Sequence, residues 1–361
     1  MKSSRYTRQT RLEGFGPQSQ ERLSRARVLV VGAGGLGIPV ATYLNAMGIG
    51  TLGLVDGDQV EWSNLHRQPA YGPEQVGKSK IAVLSGVLQD QNPDTQIRLY
   101  DTFLHPTNAL RILEGYDLVV DATDNLQTRY LIDDACLVRE IPWVYGALHG
   151  FEGQVSVFNY RGGPTYRCLF PEMPAIGEIP DCDTLGTLGV LPAIIGSLQA
   201  LEAVKALCDL PGVLSGHLML YQALEQQMQK IAFDRNPTRE GLAPLETSSI
   251  PGCTRADGTC SVAEYQQQRY VPGTVLLDVR EASEFKAKSA TGAVNIPLLD
   301  LEENLHSLKD AGAIYVICKS GPRSRQAYTI IRETLPGTPV YWIEGGMRQY
   351  LAVCQDQSWE V

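Results

Sequence analysis

Three glycines in the pattern GxGxxG are the first residues whose types and spacing point to chemistry. Gly32, Gly34 and Gly37 follow the apolar segment RVLVV and precede a segment with helical character. Such a turn lets the backbone approach a phosphate, and the following helix adds free N–H groups and the positive end of its dipole. Asp56 ends the next apolar segment about 20 residues on, where a carboxylate can bind ribose hydroxyls. Taken alone, this pattern predicts a nucleotide site and favours NAD(P) over ATP.

The residues that follow Asp56 reverse that preference. Cations and amides are concentrated in the segment DGDQVEWSNLHRQPAYGPEQVGKSK, at Asn64, Arg67, Gln68, Lys78 and Lys80. A triphosphate needs positive charge and hydrogen-bond donors along its length, whereas a dinucleotide has little use for so many cations. Asp124 lies further on in DATDN, and a carboxylate beside polyphosphate is a natural Mg²⁺ ligand. We therefore predict an ATP site with Mg²⁺ held by Asp124.

A second reactive group is predicted at Cys318, which ends the apolar segment AIYVIC and opens the loop CKSGPRS before a helix. Backbone N–H groups of such a loop can surround one sulfur, and the helix dipole also stabilises an anion there. Arg323 adds a positive charge, and both effects favour a thiolate or persulfide over a thiol. The predicted loop residues are Cys318, Lys319, Ser320, Gly321, Arg323 and Ser324. A phosphatase loop is an alternative, because it also joins a cysteine to an arginine at a helix start.

Cys182 is a third candidate, in the Pro- and Gly-rich segment PEMPAIGEIPDCDTLGTLGV. That composition predicts an exposed segment. A thiolate there could act as a nucleophile, but the flanking Asp181 and Asp183 raise a thiol pKa. Whether Cys182 is catalytic or inert stays open from the residues alone.

The elements that must position these groups alternate between strand and helix, which predicts parallel sheets with helices on both faces. We expect a Rossmann-like doubly wound α/β domain over residues 1–236 and a small α/β domain over 262–361. Residues 237–261 are rich in Pro, Gly, Ser and Thr and are predicted to be a linker. Spacings of three and four from Leu191 to Val204 predict a buried helix.

Composition excludes several classes of protein. The 361 residues carry a net charge of −9, which argues against nucleic-acid binding. No apolar segment reaches the ~20 residues that span a bilayer, and the N-terminus lacks the apolar core of a signal peptide. We expect a cytoplasmic protein without a membrane partner, whose cysteines are thiols rather than a disulfide framework.

The motifs YTRQ, GAGGLG, DGDQVEWSNLHRQ, GKSK and DATDN, in this order over about residues 5 to 236, resemble the MoeB/ThiF adenylating enzymes, relatives of ubiquitin-activating enzymes. The segments LLDVREASEF, GAVNIPL and IEGG around the Cys318 loop resemble a single-domain rhodanese and favour it over a phosphatase. Lys288 and Ser289 stand where the rhodanese pattern often has Gly-His, which leaves the sulfur donor open.

The first resemblance implies the formation of an acyl-adenylate from ATP and the C-terminal Gly-Gly carboxylate of a small ubiquitin-like sulfur carrier protein. It implies that Asp56 binds ribose, that Asn64, Arg67 and Lys80 contact phosphates, and that Cys182 can attack the adenylate. It also implies a homodimer in which Arg8 reaches the partner's ATP. Singly, Arg8 and Arg67 could be surface residues. The predicted ATP-binding residues are Gly32, Gly34, Gly35, Gly37, Asp56, Asn64, Arg67, Lys80, Asp124 and Asn125.

One departure from these relatives concerns zinc. Many of them hold a structural zinc with two CxxC pairs, but here the first pair reads TYRC, with Thr165 in place of one ligand and only Cys168 remaining. The second pair should follow RNP, where the sequence RNPTREGL has no cysteine. Because a structural zinc needs four soft ligands, we predict that zinc is absent.

The proposed reaction sequence is adenylation in the first half and sulfur transfer through a Cys318 persulfide in the second, giving a thiocarboxylate. A cysteine desulfurase or thiosulfate would be the sulfur donor.

Asp278 and Arg280 are predicted to form a structural pair that braces the Cys318 loop. The alternatives are an NAD(P)-binding oxidoreductase fused to a sulfurtransferase, and a non-catalytic scaffold that binds the carrier. The pathway served stays open.

Overall fold

The structure is a computed structural model that divides into two units, Met1–Ser249 and Ile250–Val361. It describes residues 5–236 except 172 and 174–185, and residues 258–354 except 270, 272, 291, 310 and 336.

The first unit contains eight strands and eight helices among its described residues. The strands are β1 (Arg27–Val31), β2 (Thr51–Val55), β3 (Gln96–Tyr100), β4 (Leu118–Asp121), β5 (Trp143–His149), β6 (Glu152–Phe158), β7 (His217–Gln222) and β8 (Gln227–Ala232). The helices are α1 (Thr7–Thr10), α2 (Gly16–Arg25), α3 (Gly37–Ala46), α4 (Lys80–Gln91), α5 (Pro106–Ile112), α6 (Leu126–Val138), α7 (Tyr166–Leu169) and α8 (Val190–Cys208). Short 3₁₀ turns lie at Trp62–Asn64, Pro73–Gln75 and Tyr160–Gly162.

These strands form one sheet in the order β3-β2-β1-β4-β5-β6-β7-β8. The first five are parallel, and β6, β7 and β8 continue the sheet in antiparallel pairs. Chain order reverses between β2 and β4 on either side of β1, so a crevice for ligands opens at the carboxyl end of β1. The predicted doubly wound α/β fold is confirmed.

The apolar run of β1 explains why this sheet is covered on both faces. Val28 and Val30 belong to one core, and Leu29 and Val31 belong to the other. Because successive side chains of a strand point to opposite faces, a continuous apolar run requires burial on both sides.

The helix α8 is the long apolar helix that the sequence predicted near residue 190. It is long and apolar enough to cross a membrane by length and composition, but 56% of its most apolar window is buried inside the protein. It packs against α3, β5 and β6, as a core helix does. The prediction of burial is confirmed for Leu191 and Val204 and is wrong for Leu201, which is 51% exposed.

The second unit is a smaller parallel α/β structure. Its strands are β9 (Thr259–Cys260), β10 (Thr274–Asp278), β11 (Val294–Asn295), β12 (Ala313–Ile317) and β13 (Val340–Ile343). Its helices are α9 (Val262–Gln268), α10 (Ala282–Ala287), α11 (Leu301–Asn304), α12 (Pro322–Thr334) and α13 (Gly346–Cys354), with 3₁₀ turns at Leu298–Asp300 and Leu305–Leu308. All strands are parallel, in the order β11-β10-β12-β13-β9.

One expectation from the sequence is wrong at β9. The strand lies inside the segment predicted to be the linker, because Thr259 and Cys260 pair with Trp342 and Ile343 of β13 and complete the sheet. Thr259 and Cys260 are buried, which composition alone did not indicate.

A buried ion pair ties the end of β4 to α6. Arg129 Nε donates to Asp121 Oδ2 at 2.9 Å, and the two side chains are 8% and 0% exposed. Asp121 Oδ1 also accepts from the backbone N–H and the hydroxyl of Thr123. The guanidinium lies over the ring of Tyr145, 4.9 Å from its centroid. Asp121 therefore has a structural role at the end of β4.

Loss of the arginine from this pair should destabilise the first unit. We expect Arg129→Ala to lower its free energy of unfolding by about 3–5 kcal/mol, because Asp121 would be left as an uncompensated buried charge. Urea unfolding measures the change. Arg25→Ala is the control: Arg25 is 78% exposed and pairs with Glu21 on the surface of α2, and we expect a loss below about 1 kcal/mol. Equal losses in the two variants would contradict a special role for the buried pair.

Candidate functional site

The glycine turn lies where the sequence placed it, between β1 and α3. Gly32 has φ +101°, and a Cβ there would lie 2.5 Å from the carbonyl oxygen of Ala122. Only glycine fits, because that φ is unfavourable for other residues and the end of β4 leaves no room. A Cβ on Gly35 would lie 2.8 Å from Pro192 and 3.3 Å from the Arg67 carbonyl oxygen. The turn is thus packed against both β4 and the segment around Arg67.

Asp56 holds this turn in place. Its Oδ2 accepts the backbone N–H of Ala33 at 2.7 Å, and its Oδ1 accepts the N–H of Asp58 at 2.8 Å. Tyr71 donates its hydroxyl to the Ala33 carbonyl at 2.7 Å, a contact that the sequence did not indicate. Burial and the nearby Asp58 carboxylate raise the pKa of Asp56, against the opposing effect of Lys80. The carboxylate is therefore positioned at the turn, while its bond to ribose stays a prediction.

Lys80 is a buried cation among carboxylates at this edge of the sheet. It is 6% exposed, and its Nζ lies 2.8 Å from Asp58 Oδ2. Burial lowers the pKa of Lys80, but Asp58, Asp56 and Asp124 together raise it above its ordinary value. The ammonium is therefore a permanent positive charge beside the glycine turn. The pairing of Asp58 with Lys80 was not predicted from the sequence, although Asp58 stands only two positions after Asp56.

Asn64 and Arg67 lie in the segment that packs on the turn. Asn64 is 7% exposed and its Oδ1 has no hydrogen-bond partner among the described residues. Arg67 Nη1 donates to the Ser63 carbonyl at 2.9 Å and lies 2.9 Å from His66 Nε2. Arg67 Nη1 is bonded within its own segment, and the guanidinium keeps its other N–H groups for a phosphate.

Asp124 and Asn125 follow β4 on the same edge. Asp124 is exposed and close enough to Lys80 to affect its pKa. Asn125 caps α6, because its Oδ1 accepts the N–H of Thr128 at 2.9 Å. Its amide nitrogen and the second lone pair of Oδ1 remain for a nucleotide. An exposed carboxylate at a phosphate-binding edge fits Mg²⁺, which takes few protein ligands and completes its shell with phosphate oxygens and water.

Arg8 lies away from the glycine turn of its own chain. It is exposed on α1, next to Gln9, whose Nε2 donates to the Met47 carbonyl just past the C-terminus of α3. The glycine turn is at the N-terminus of α3. Because a ten-residue helix is about 15 Å long, Arg8 and the turn are at opposite ends of it.

Cys168 occupies the position of the incomplete zinc motif. Its sulfur accepts the backbone N–H of Asn236 at 3.3 Å and lies 3.5 Å from Thr165 Oγ1. The bond from Asn236 thus joins the TYRC segment to the RNP segment. The absence of zinc stays a prediction. Cys182, the other cysteine of this half with a predicted role, lies outside the described residues.

The Cys318 loop surrounds the sulfur with donors. Gly321 donates its N–H to Sγ at 3.1 Å. At the start of α13, Met347 N–H donates to the Cys318 carbonyl at 2.7 Å and Arg348 N–H donates to the Lys319 carbonyl at 3.2 Å. These bonds turn the loop carbonyls away from the sulfur. The second glycine of IEGG permits this approach, since a Cβ on Gly346 would lie 2.3 Å from the Cys318 carbonyl oxygen.

The net effect on Cys318 is a lowered pKa. Burial raises the thiol pKa, but the Ser324 hydroxyl and the N–H groups of Ser320, Gly321 and Ser324 outweigh it. The Ser324 hydroxyl also lies 2.7 Å from the Gly321 carbonyl. With one proton, it can serve only one of these acceptors at a time. The predicted thiolate-stabilising loop is present.

The predicted contribution of Arg323 is smaller than expected. Its Nη1 and Nη2 bond the two oxygens of Glu284 at 2.7 and 3.1 Å. This pair lowers the pKa of Glu284 to about 2. The positive charge is shared with a carboxylate instead of being aimed at the sulfur. A phosphatase, which needs its arginine free for the phosphate, is therefore disfavoured.

Asp278 and Arg280 form the predicted structural pair, with Arg280 Nη2 at 2.6 Å from Asp278 Oδ2. Arg280 also donates to the Lys288 carbonyl at 2.7 Å. Within the described residues, its bonds brace the Lys288 segment and not the Cys318 loop. The expected target of the brace was therefore wrong.

Family models and known relatives agree with this geometry. The ThiF family model matches residues 6–241, and the rhodanese-like domain model matches residues 261–352. The chain belongs to the ThiF family. A maize protein named adenylyltransferase and sulfurtransferase MOCS3-1 is 40% identical over 365 residues, covering 91% of this chain and 77% of that protein. A Thermus thermophilus sulfur carrier protein adenylyltransferase is 51% identical over 238 residues, covering 64% of this chain and 88% of the relative.

Solved structures support the fold of this ThiF-family chain. Crystallised E. coli MccB with AMPCPP and MccA has a TM-score of 0.58 at 21% identity, covering 65% of this chain and 73% of that one. The chain is an adenylyltransferase and sulfurtransferase, because relatives with that name match it across both units. The NAD(P)-dependent and non-catalytic alternatives are not favoured.

The hydrogen bonds around Cys318 predict its pH dependence. A lowered pKa keeps Cys318 ionised at lower pH than an ordinary thiol. Ser324→Ala should therefore shift the pH profile of Cys318 alkylation by iodoacetamide to higher pH. Thr329→Ala, on the exposed face of α12, is the control and should leave the profile in place. A Ser324→Ala profile that is unmoved, or moved to lower pH, would contradict the assignment.

Proposed function

We propose that this enzyme adenylates the C-terminal carboxylate of a small ubiquitin-like sulfur carrier protein ending in Gly-Gly, and that Cys318 then delivers sulfur to it. The observation that carries the proposal is the pairing of two sites on one chain. One is a glycine turn with the buried cation Lys80 beside it, and the other is a cysteine whose pKa is lowered by backbone N–H groups. The Thermus thermophilus relative is named for a sulfur carrier protein.

In the first step, a carboxylate oxygen of the carrier attacks the α-phosphorus of ATP. The new O–P bond forms as the bond to the β-phosphate breaks, and pyrophosphate leaves. Negative charge on the phosphates is met by Lys80, by Arg67 and by N–H groups at the start of α3. Mg²⁺ held by Asp124 would neutralise part of the polyphosphate charge.

In the second step, the Cys318 thiolate takes sulfane sulfur from a cysteine desulfurase persulfide or from thiosulfate, which releases a thiolate or sulfite. The terminal sulfur of the Cys318 persulfide attacks the acyl carbon, and AMP leaves. A second thiolate, from Cys182 or an external reductant, then attacks Cys318 Sγ. The S–S bond breaks, its electron pair leaves on the thiocarboxylate, and the enzyme disulfide awaits reduction by external thiol.

We propose further that the enzyme is a cytoplasmic homodimer without zinc. Arg8 at the far end of α3 suits action on the partner's nucleotide better than on its own. Thiol chemistry at Cys318 suits a reducing compartment. The proposed domains are 1–236 and 262–361, and the second is extended at its N-terminal end to include β9.

The two half-reactions should separate by mutation. Asp124→Ala should abolish ATP–pyrophosphate exchange with a Gly-Gly carrier. Cys318→Ser should retain exchange but form no thiocarboxylate, measured by mass spectrometry of the carrier. Each variant serves as the control for the other. Exchange absent from the unmodified enzyme with every Gly-Gly carrier tested would contradict adenylation, and thiocarboxylate formed by Cys318→Ser would place the sulfur site elsewhere.

Action of Arg8 across a dimer predicts complementation. Arg8→Ala and Asp124→Ala should each be inactive in exchange. Co-expressed in equal amounts, they should recover about a quarter of the activity, because half the dimers are mixed and each mixed dimer has one intact site. Co-expression of Arg8→Ala with a chain carrying both changes is the control and should recover nothing. No recovery in the first mixture would count against the shared site.

A further inference from the structure

Gln68 is a buried amide that the reaction scheme does not use. It is 4% exposed, and its backbone N–H bonds to the Asn64 carbonyl at 3.0 Å. Its side-chain Oε1 is buried and has no hydrogen-bond partner among the described residues. Leaving such a group unpaired costs about 1–3 kcal/mol, so its retention calls for a partner that arrives with a ligand.

The amide lies against the phosphate-binding turn. Gln68 Nε2 is 3.6 Å from the position that a Cβ would take on Gly34. Gly34 is the second glycine of GxGxxG, the one whose missing side chain lets the backbone approach the phosphates. The turn leads into α3, a helix of ten residues. A ligand bound at this turn therefore comes within reach of the Gln68 side chain.

Unpaired buried atoms recur in the same segment. Asn64 Oδ1 and Ser79 Oγ, like Gln68 Oε1, are buried without a partner in the described part of the chain, as are a few atoms elsewhere, among them Asn45 Oδ1 and Gln199 Oε1. All three follow Asp56 and precede α4, whose first residue is Lys80. The segment thus presents several unsatisfied polar groups where the nucleotide is expected.

The chemistry of an amide restricts what Gln68 can bind. Whichever way the amide is turned, one end donates and the other accepts. Phosphate oxygens can only accept, so they satisfy the donor end alone. The acceptor end requires a donor, and the peptide N–H of a C-terminal glycine is the donor that the second substrate brings to the same phosphorus.

We propose that Gln68 joins the two substrates of adenylation, donating to a phosphate oxygen of ATP and accepting the peptide N–H of the carrier's terminal glycine. This rests on the proposed adenylation of a Gly-Gly carrier. The bridge sets the carboxylate next to the α-phosphate, and that proximity contributes to the rate of attack.

The test uses the full chain, with ATP–pyrophosphate exchange as the readout. One carrier ends in Gly-Gly, and a semisynthetic carrier ends in Gly-sarcosine, which lacks the terminal N–H. With the unmodified enzyme, loss of this N–H should lower kcat/KM for the carrier about 10-fold. In Gln68→Met, kcat/KM for the Gly-Gly carrier should fall by a similar factor and the sarcosine carrier should be no worse, because the acceptor is gone. The KM for ATP should also rise about 10-fold.

A purely structural role for Gln68 predicts that ligand-free Gln68→Met unfolds at a lower temperature than the unmodified enzyme. The proposal predicts that it does not. The thermal midpoint of ligand-free Gln68→Met should equal or exceed that of the unmodified enzyme, since unpaired buried polar atoms are removed. Gln199→Met is the matched control, because Gln199 is also buried with an Oε1 that has no partner among the described residues, but its Nε2 donates to the Asp121 carbonyl at 2.6 Å. It should lower the thermal midpoint and leave the full sarcosine effect in place.

Three results would overturn the proposal. One is a sarcosine effect of equal size in Gln68→Met and the unmodified enzyme. Another is a Gln68→Met enzyme with unchanged KM for ATP. Absence of exchange by the unmodified enzyme with the Gly-Gly carrier would overturn the adenylation itself, and the Gln68 bridge with it.

Discussion

The hydrogen bond from the backbone N–H of Ala33 to Asp56 is the contact on which the nucleotide site depends. It fixes the glycine turn relative to the end of β2, and Tyr71 fixes the carbonyl of the same residue. The negative charge of a buried carboxylate in this place must be offset by a positive charge. Lys80 supplies it: the ammonium pairs with Asp58 and also interacts with Asp56 and Asp124. The turn, the acids and the cation therefore form one electrostatic unit at the carboxyl ends of β1, β2 and β4. ATP enters a site where charge is already arranged for it.

The second unit solves a related problem with a different donor set. Cys318, like the glycine turn, follows a central parallel strand and precedes a helix. Here the donors are backbone N–H groups. They face the sulfur because N–H groups at the start of α13 donate hydrogen bonds to the loop carbonyls. Arg323 is held by Glu284, so the lowered pKa comes mainly from hydrogen bonds. Such donors stabilise the thiolate without placing a mobile cation in the path of a large partner.

Several site contacts could not have been found from the sequence. Tyr71 and Gln68 lie about 35 residues beyond the turn that they touch, and nothing in their local pattern indicates the contact, which arises only when the segment folds back on α3. Asn125 also caps α6, a role that its position before an apolar run could have suggested, while its contact with the nucleotide stays a prediction. The failure at β9 has another cause. Two residues are too short for a periodic pattern, and only pairing with β13 makes them a strand.

Residue types and spacing by themselves determined the doubly wound fold, the glycine turn and the nucleophilic cysteine, because each depends on local backbone geometry and on neighbours in the chain. The sequence also determined the family, since five ordered motifs are jointly specific where each alone is weak. Tertiary structure alone decided which charges are paired: Lys80 with Asp58, Arg323 with Glu284, and Arg129 with Asp121. It also decided that Arg8 lies at the far end of α3 from its own turn. Electrostatic interactions act through space, and the folded chain sets those distances independently of separation in sequence.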